Sequence, residues 1–448
     1  MARKTTPRSD EADAQPPITE TELPVGPTGR FLVAMAPGSQ RSLIKTLKDS
    51  AGITAASTAD SKDSESDIKS LGGADALLLE HLSIAVVSGE DAEKIQSLES
   101  AVADDSNPIV AVEPEEYVQP SNDEGFLTAV GRAYVRGYRD GVAACGARLL
   151  GGQADAAQVD LFIEATFADT PQFTWGLQAT RVHLSTATGA GIRVAVLDSG
   201  FDFHHPDFAG RQVISATFVG QPVQDAYGHG TYCIGTALGD RMRAGGVRRY
   251  GCARKGVILA GKVLSNIGSG QDAGILAGIN WAIHNGARVI LLPLGSAVAV
   301  GASPSAAYEN AGRAALNAGS LIVASAGHGG NQPVGRPANS PSIMAVAAVD
   351  QSLRRAAFSC IGINPNGGEI NIAGPGVAVF SSVRMPTRYA IWSGTSMAAA
   401  HVAGIAALWS QQAGLRGMAL WQKLISTARN IGQPVSHVGA GLVQAPLP

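Results

Sequence analysis

The chain has 448 residues, 45% hydrophobic and 16% charged, with a formal net charge of −3. That length suits two or three domains and supplies material for a large core. So balanced a charge argues against nucleic acid or an anionic membrane surface as a partner, and no run of roughly 18 apolar residues reads as a membrane span.

In chain order, residues 1–28 are polar, rich in Pro, Thr, Asp and Glu, and lack the apolar core of a signal peptide, so they read as disordered. Without an export signal the expected location is the cytoplasm, with non-classical export left open. The four cysteines, Cys145, Cys233, Cys252 and Cys360, are expected reduced and lack metal-site spacing. Residues 30–36 read as a strand. Residues 40–49 read as a helix with Leu43, Ile44 and Leu47 on one face. Residues 57–66 form a Ser/Asp/Lys-rich loop. Residues 77–87 read as a strand region, 90–102 as a helix with Ala92, Ile95 and Leu98 on one stripe, and 109–114 as a further strand. This β-α-β-α-β order predicts a small α+β unit of ferredoxin-like type over 29–120.

A helical linker or insertion over 121–171 follows, with an amphipathic helix at 126–150 carrying Leu127, Val130, Tyr134 and Val142. From 192 onward strands and helices alternate. Strands are expected at 192–198, 256–263, 288–294, 321–326 and 343–349, and helices at 273–285, 304–318 and 395–412. That order predicts an α/β domain over 172–448, a parallel sheet flanked by helices on both faces.

Three residues in this domain have the chemistry of acyl transfer. Asp198 ends a strand, at the edge where α/β sites form. His229 lies between glycines and opens a helix of small residues. Ser396 follows Gly394-Thr395 at the start of another such helix, where free N–H groups and the dipole face a hydroxyl. Singly, each is as readily a turn former or a helix cap. Together, in the order Asp198, His229, Ser396, they suit a nucleophile with its base and the base's orienting carboxylate.

Over roughly 172–447 the chain resembles the subtilisin-like serine peptidases. Leu197-Asp198-Ser199-Gly200 with His205-Pro206-Asp207 is similar to the family's aspartate block, Gly228-His229-Gly230-Thr231 to its histidine block, and Gly394-Thr395-Ser396-Met397-Ala398 with His401-Val402-Ala403-Gly404 to its serine block. The resemblance implies a serine endopeptidase acting on peptide or protein substrates through Asp198, His229 and Ser396, without a cofactor. It also implies cleft walls at 264–270 and 292–296, with Gly268, Leu294, Gly295, Ala326 and Gly327 lining the substrate, and an apolar or broad preference beside the cut. Ala34-Met35-Ala36-Pro37-Gly38 and 110–115 resemble the propeptide, or inhibitor, domain that precedes such enzymes. That likeness implies an N-terminal domain acting as intramolecular inhibitor, with processing near 118–122.

The chain departs from the family pattern in four places. His328 stands where an asparagine supplies the oxyanion donor, so its imidazole is expected to donate instead, with Asn331 nearby as a reserve. Pro293 replaces a usual serine and removes a backbone donor. Ala400 replaces a usual proline. Asp207 matches a calcium-ligating position, but the adjoining loop is Arg-rich, so no metal is expected there. Cys233, one turn after His229, resembles the free cysteine of the proteinase K branch and reads first as a core residue. Two rival readings remain. A catalytically impaired peptide binder is favoured by His328, and a peptide ligase is weakly permitted by Ala400.

Overall fold

The computed structural model describes residues 23–38, 40–57, 74–121, 166–243 and 248–448. The expected helix at 126–150, Cys145 and nearly all of the 121–171 linker lie outside the described residues. Among the described residues no helix is long and apolar enough to cross a membrane.

The N-terminal unit is a sheet of β1 (Pro27–Met35), β2 (Ala55–Ser57), β3 (Ala76–Leu79), β4 (Ile84–Ser88) and β5 (Ile109–Pro120), in the order β5-β1-β4-β3-β2. The Gln40–Ala51 and Ala92–Val102 helices lay their apolar stripes on it. Leu43, Leu47, Ile95 and Leu98 pack with Val33, Met35, Leu78, Ala85 and Val87. Asp91 caps the second helix by accepting from the Glu93 and Lys94 amides.

Three boundaries differ from the sequence reading. The first strand starts at Pro27, inside the segment expected to be disordered to 28. The 77–87 region is two antiparallel strands, because a 3-10 turn at Glu80–Leu82 ends with Ser83 in the left-handed region (φ 53°) and reverses the chain. The last strand runs on from the expected end at 114 to Pro120. The extra residues find partners beyond the N-terminal unit.

The second sheet is built from β6 (Arg193–Asp198), β7 (Val213–Thr217), β8 (Val257–Lys262), β10 (Val289–Leu292), β12 (Leu321–Ser325), β13 (Met344–Val349) and β14 (Ile372–Pro375). Its order is β14-β13-β12-β10-β6-β8-β7, and every neighbouring pair is parallel. The strands are apolar runs because both faces are covered. Val194 and Val196 of β6 join the cluster that holds the His229–Leu238 and Thr395–Ala413 helices. Ala195 and Leu197, pointing the other way, join the cluster of the Asp272–His284 and Ala306–Asn317 helices. A Cβ at Gly404 would come within 2.6 Å of the Ala237 carbonyl and of Cys252. Glycine therefore lets the two central helices touch and sets the spacing of their N-termini. A small antiparallel pair, β15 (Val379–Ser382) and β16 (Tyr389–Trp392), completes the strands.

The expected strand at 288–294 breaks at Pro293. β10 stops at Leu292, and Leu294–Gly295 (β11) belongs to the other sheet. Proline has no N–H to continue the parallel ladder. Together with β9 (Gly270–Gln271), β11 binds the end of β5, so the N-terminal sheet is completed by the cleft edges of the larger unit.

Candidate active site

Asp198 is the last residue of β6 and His229 the first residue of its helix, so two element ends meet above the sheet. The chain reaches His229 through Gly228 in a left-handed conformation (φ 107°), a turn that glycine makes without strain. Buried Asp225 fixes that turn. Its carboxylate accepts from the Tyr227, Gly228 and Thr231 amides and from the Ser199 and Thr231 hydroxyls at 2.7–3.1 Å. A Cβ on Gly230 would lie 2.2 Å from the Gly200 carbonyl, so the helix start presses directly on the segment after Asp198.

The result is a buried carboxylate–imidazole pair. His229 Nδ1 lies 2.7 Å from Asp198 Oδ2, while the Ser199 amide donates to Asp198 Oδ1 at 2.6 Å. Trp392 lies parallel to the imidazole, ring centres 6.4 Å apart, and stacks on Tyr232 at 4.4 Å. Below, the fully buried Lys262 donates to the Ser199 carbonyl. Burial lowers the pKa of its ammonium, against the opposing charges of Asp225 and Asp198. Cys233 Sγ is 3.8 Å from His229 Nδ1. Ligand atoms of Asp198, His229 and Cys233 lie within 4.8 Å of one another, but burial, reinforced by Asp198, holds the thiol well above its ordinary pKa. A protonated thiol is a poor ligand, so this group serves better as an Asp–His pair than as a metal cradle. The free thiols Cys233, Cys252 and Cys360 are all buried. Asp207, the other candidate for a metal, is engaged by the Tyr250 hydroxyl at 2.7 Å, the Tyr389 hydroxyl at 3.0 Å and the Arg243 amide at 2.8 Å.

Ser396 sits in the first turn of the Thr395–Ala413 helix, entered through Gly394. It carries the end of β5. Its hydroxyl donates to the Ser121 carbonyl at 2.6 Å and to the Pro293 carbonyl at 2.8 Å, and its amide points at the same Ser121 oxygen at 3.3 Å. Among the described residues Ser396 Oγ makes no hydrogen bond to His229. The strand is held on both edges. Tyr117 and Val118 pair antiparallel with Gln271 and Gly270, and Gln119 and Pro120 with Gly295 and Leu294. The Ser121 amide donates to the Pro293 carbonyl at 3.2 Å. The Pro293 carbonyl survives where its amide does not.

The sequence-based site residues fall into two groups. Leu294 and Gly295 pair with β5, and a Cβ at Gly295 would strike the Arg336 carbonyl at 2.5 Å. Gly268 instead makes the turn of the opposite wall (φ 82°), packed over Tyr227. Ala326 and Gly327 make supporting bonds, Ala326 to Val346 and Gly335, and Gly327 to Thr395 Oγ1 and Cys360. His328 Nε2 accepts from the Thr395 amide at 2.8 Å, and the ring rests on Phe358. Burial pushes its pKa down to about 3. The ring is therefore neutral with its proton on Nδ1, and that nitrogen is buried without a partner among the described residues. Asn331, the reserve donor, has its Oδ1 bound by Arg355 at 2.9 Å.

Sequence reasoning assigned no role to Asp225 or Lys262. The aspartate lies three residues before the histidine block, and its spacing of four residues from His229 was the available signal. Lys262 looks like any strand-end lysine until the fold buries it.

The parallel α/β sheet, the buried Asp–His pair and a serine holding an extended strand by its carbonyl define a serine-type peptide hydrolase. The Subtilase family (peptidase S8) matches residues 189–441, and the chain belongs to that family. It is a subtilisin-like serine endopeptidase. It is 40% identical over 290 residues to the thermostable alkaline protease of Halalkalibacterium halodurans, covering 63% of this chain and 74% of that protein. It is 40% identical over 279 residues to subtilisin Savinase of Lederbergia lenta, covering 60% of this chain and 96% of the relative. Thermitase of Thermoactinomyces vulgaris is 38% identical over 228 residues, 50% of this chain and 77% of that protein.

Proposed function

We propose that the chain is a zymogen-like endopeptidase that cuts itself after Ser121 and is then held inhibited by its own N-terminal unit. The observation that carries this reading is the Ser121 carbonyl, 2.6 Å from Ser396 Oγ and 3.3 Å from the Ser396 amide, at the end of a strand paired on both edges. A strand added to a cleft in this way is how an extended peptide presents a bond for cleavage.

In the proposed reaction Ser396 Oγ attacks the Ser121 carbonyl carbon while His229 takes its proton. Asp198 holds the imidazole in the Nδ1–H tautomer and stabilises the cation that forms. His229 then protonates the departing amine of Asn122, and water releases the acyl-enzyme by the same route. The Ser396 amide is one donor to the developing oxyanion. His328 supplies the other through Nδ1–H, a buried donor with no partner among the described residues.

Inhibition after the cut is supported by carboxylates that cross between the units. Glu113 accepts from the Ala306 amide and the Ser305 hydroxyl, both at 2.6 Å. Glu115 accepts from the Ala273 amide at 2.9 Å while holding Arg30 at 2.6 Å. Both place negative charge at helix N-termini, where the dipole favours it. Incubation of full-length protein beside its Ser396→Ala variant, followed by intact mass spectrometry and fluorophosphonate labelling, tests the reading. A cut after residue 121 and labelled Ser396 in the wild type alone are expected. An unlabelled, uncut wild type leaves the cleft as a peptide-holding site.

A further inference from the structure

We propose that Ser325 is a specificity-determining residue that selects a hydroxyl-bearing side chain, serine foremost, on the acyl side of the bond to be cut. The inference rests on the reading of Ser121 as the residue whose carbonyl is attacked. The Ser121 side chain is nearly enclosed, with the residue only 8% exposed. At the C-terminal end of β12, Ser325 (2% exposed) donates a 3.0 Å hydrogen bond from its Oγ to Ser121 Oγ. The donor is held by the sheet: Ser325 pairs with Val346 in β13, and the next amide, Ala326, donates to the Val346 carbonyl at 3.0 Å. A rigid, buried hydroxyl thus meets the side chain of the bound strand.

The chemistry sets both the direction and the size of the selection. A site that hydrogen-bonds a substrate hydroxyl rejects the analogue lacking it, because its own polar group is left without a partner. Here the loss is partial, since Ser325 has a fallback acceptor, the Leu294 carbonyl at 3.4 Å. The discrimination is therefore that of one ordinary hydrogen bond, about tenfold, rather than that of a stranded buried donor. The apolar or broad preference expected from the sequence is replaced by a polar one, because Ser325 turns its hydroxyl toward the bound side chain.

A double-mutant cycle on the full chain tests this with Ser121→Ala, Ser325→Ala and the pair. The first readout is the rate of cutting after residue 121, followed by intact mass. Each single change should slow it about tenfold, and the pair should be no slower than either single. The second readout is hydrogen exchange of the Ser121 amide in a Ser396→Ala background, where the same non-additive pattern is expected as faster exchange. An unaffected Ser325→Ala chain, or single effects that multiply in the pair, overturns the proposal. A wild type that never cuts overturns the self-processing reading instead, and the exchange cycle then decides the Ser325 contact by itself.

Discussion

Replacing Glu113 by alanine isolates the grip between the two units, because the bonds it makes to Ser305 and Ala306 both cross from the N-terminal strand to the Ala306–Asn317 helix. The carboxylate accepts two charge-assisted bonds at a helix N-terminus. Bonds of that kind contribute about 1.5–3 kcal/mol each when sheltered. Glu113 is half-buried, so water replaces part of what is lost, and Ser305 continues to cap the helix by accepting from the Tyr308 amide. A net loss of about 2 kcal/mol follows, or about thirtyfold in the opening equilibrium of the N-terminal unit. The assay is native-state hydrogen exchange in a Ser396→Ala background, comparing amides of β5 with those of β6 and β10. Exchange in β5 should quicken about thirtyfold while the parallel sheet is unchanged. Glu113→Gln should lie between, retaining an acceptor but not the charge. Unchanged protection in β5, or an equal loss in both sheets, refutes the reasoning that this carboxylate joins two separable units.

The other predictions concern the site and its acid response. His328→Ala should lower kcat by about 100–1000-fold through loss of an oxyanion donor, with binding of the N-terminal unit unchanged and His328→Asn partly restoring turnover; steady-state kinetics on a peptide substrate decides, and equal turnover by the alanine variant sinks the assignment. Because burial holds the His328 pKa at about 3, the pH profile of kcat should show no ionisation from it above pH 5. Asp225→Ala strands several donors around the His229 turn, so it should cost about 3 kcal/mol or more, seen as a lowered denaturant midpoint together with lost fluorophosphonate labelling. His401, buried and bonded to the Met397 carbonyl at 2.9 Å, is pushed down to about 4 by burial. An unfolded histidine takes its proton near pH 6.5, so the unfolded chain binds more protons between those values. Stability should fall as pH drops from 6.5 to 4, by about 3 kcal/mol from this group. Thermal melting of the Ser396→Ala protein should show that slope, and His401→Gln should flatten it.

Much of the molecule was legible in the sequence because the signals were local. Apolar runs such as Val194–Leu197 and Ile322–Ala324, short and with glycine or serine close to each end, suit strands covered on both faces. Glycines and alanines flanking His229 and Ser396 mark helices that press closely on a sheet, and the first two motif blocks named the carboxylate and imidazole that pair at 2.7 Å. Turn geometry was less visible. Ser83 in a left-handed conformation splits one expected strand into two, and the lost N–H of Pro293 ends one sheet and begins another.

What only the tertiary structure decided is who stands beside whom across long separations. Composition cannot tell that the strand ending at Pro120 leaves its own sheet to pair with Gly270 and Leu294, or that Ser121 then meets Ser396 and Ser325. Hydrogen-bond partners of an edge strand are set by which other edge is exposed within reach, a property of the assembled sheets and not of the strand. Likewise His328 was readable as a neutral-or-charged donor, but its protonation and tautomer follow from enclosure and from the Thr395 amide, neither of which is local to it. The sequence by itself determined the reaction class, through residues that act where they stand. The tertiary structure decided the occupant of the cleft and the chemistry of its walls, because burial and non-local pairing are what assign partners to polar groups.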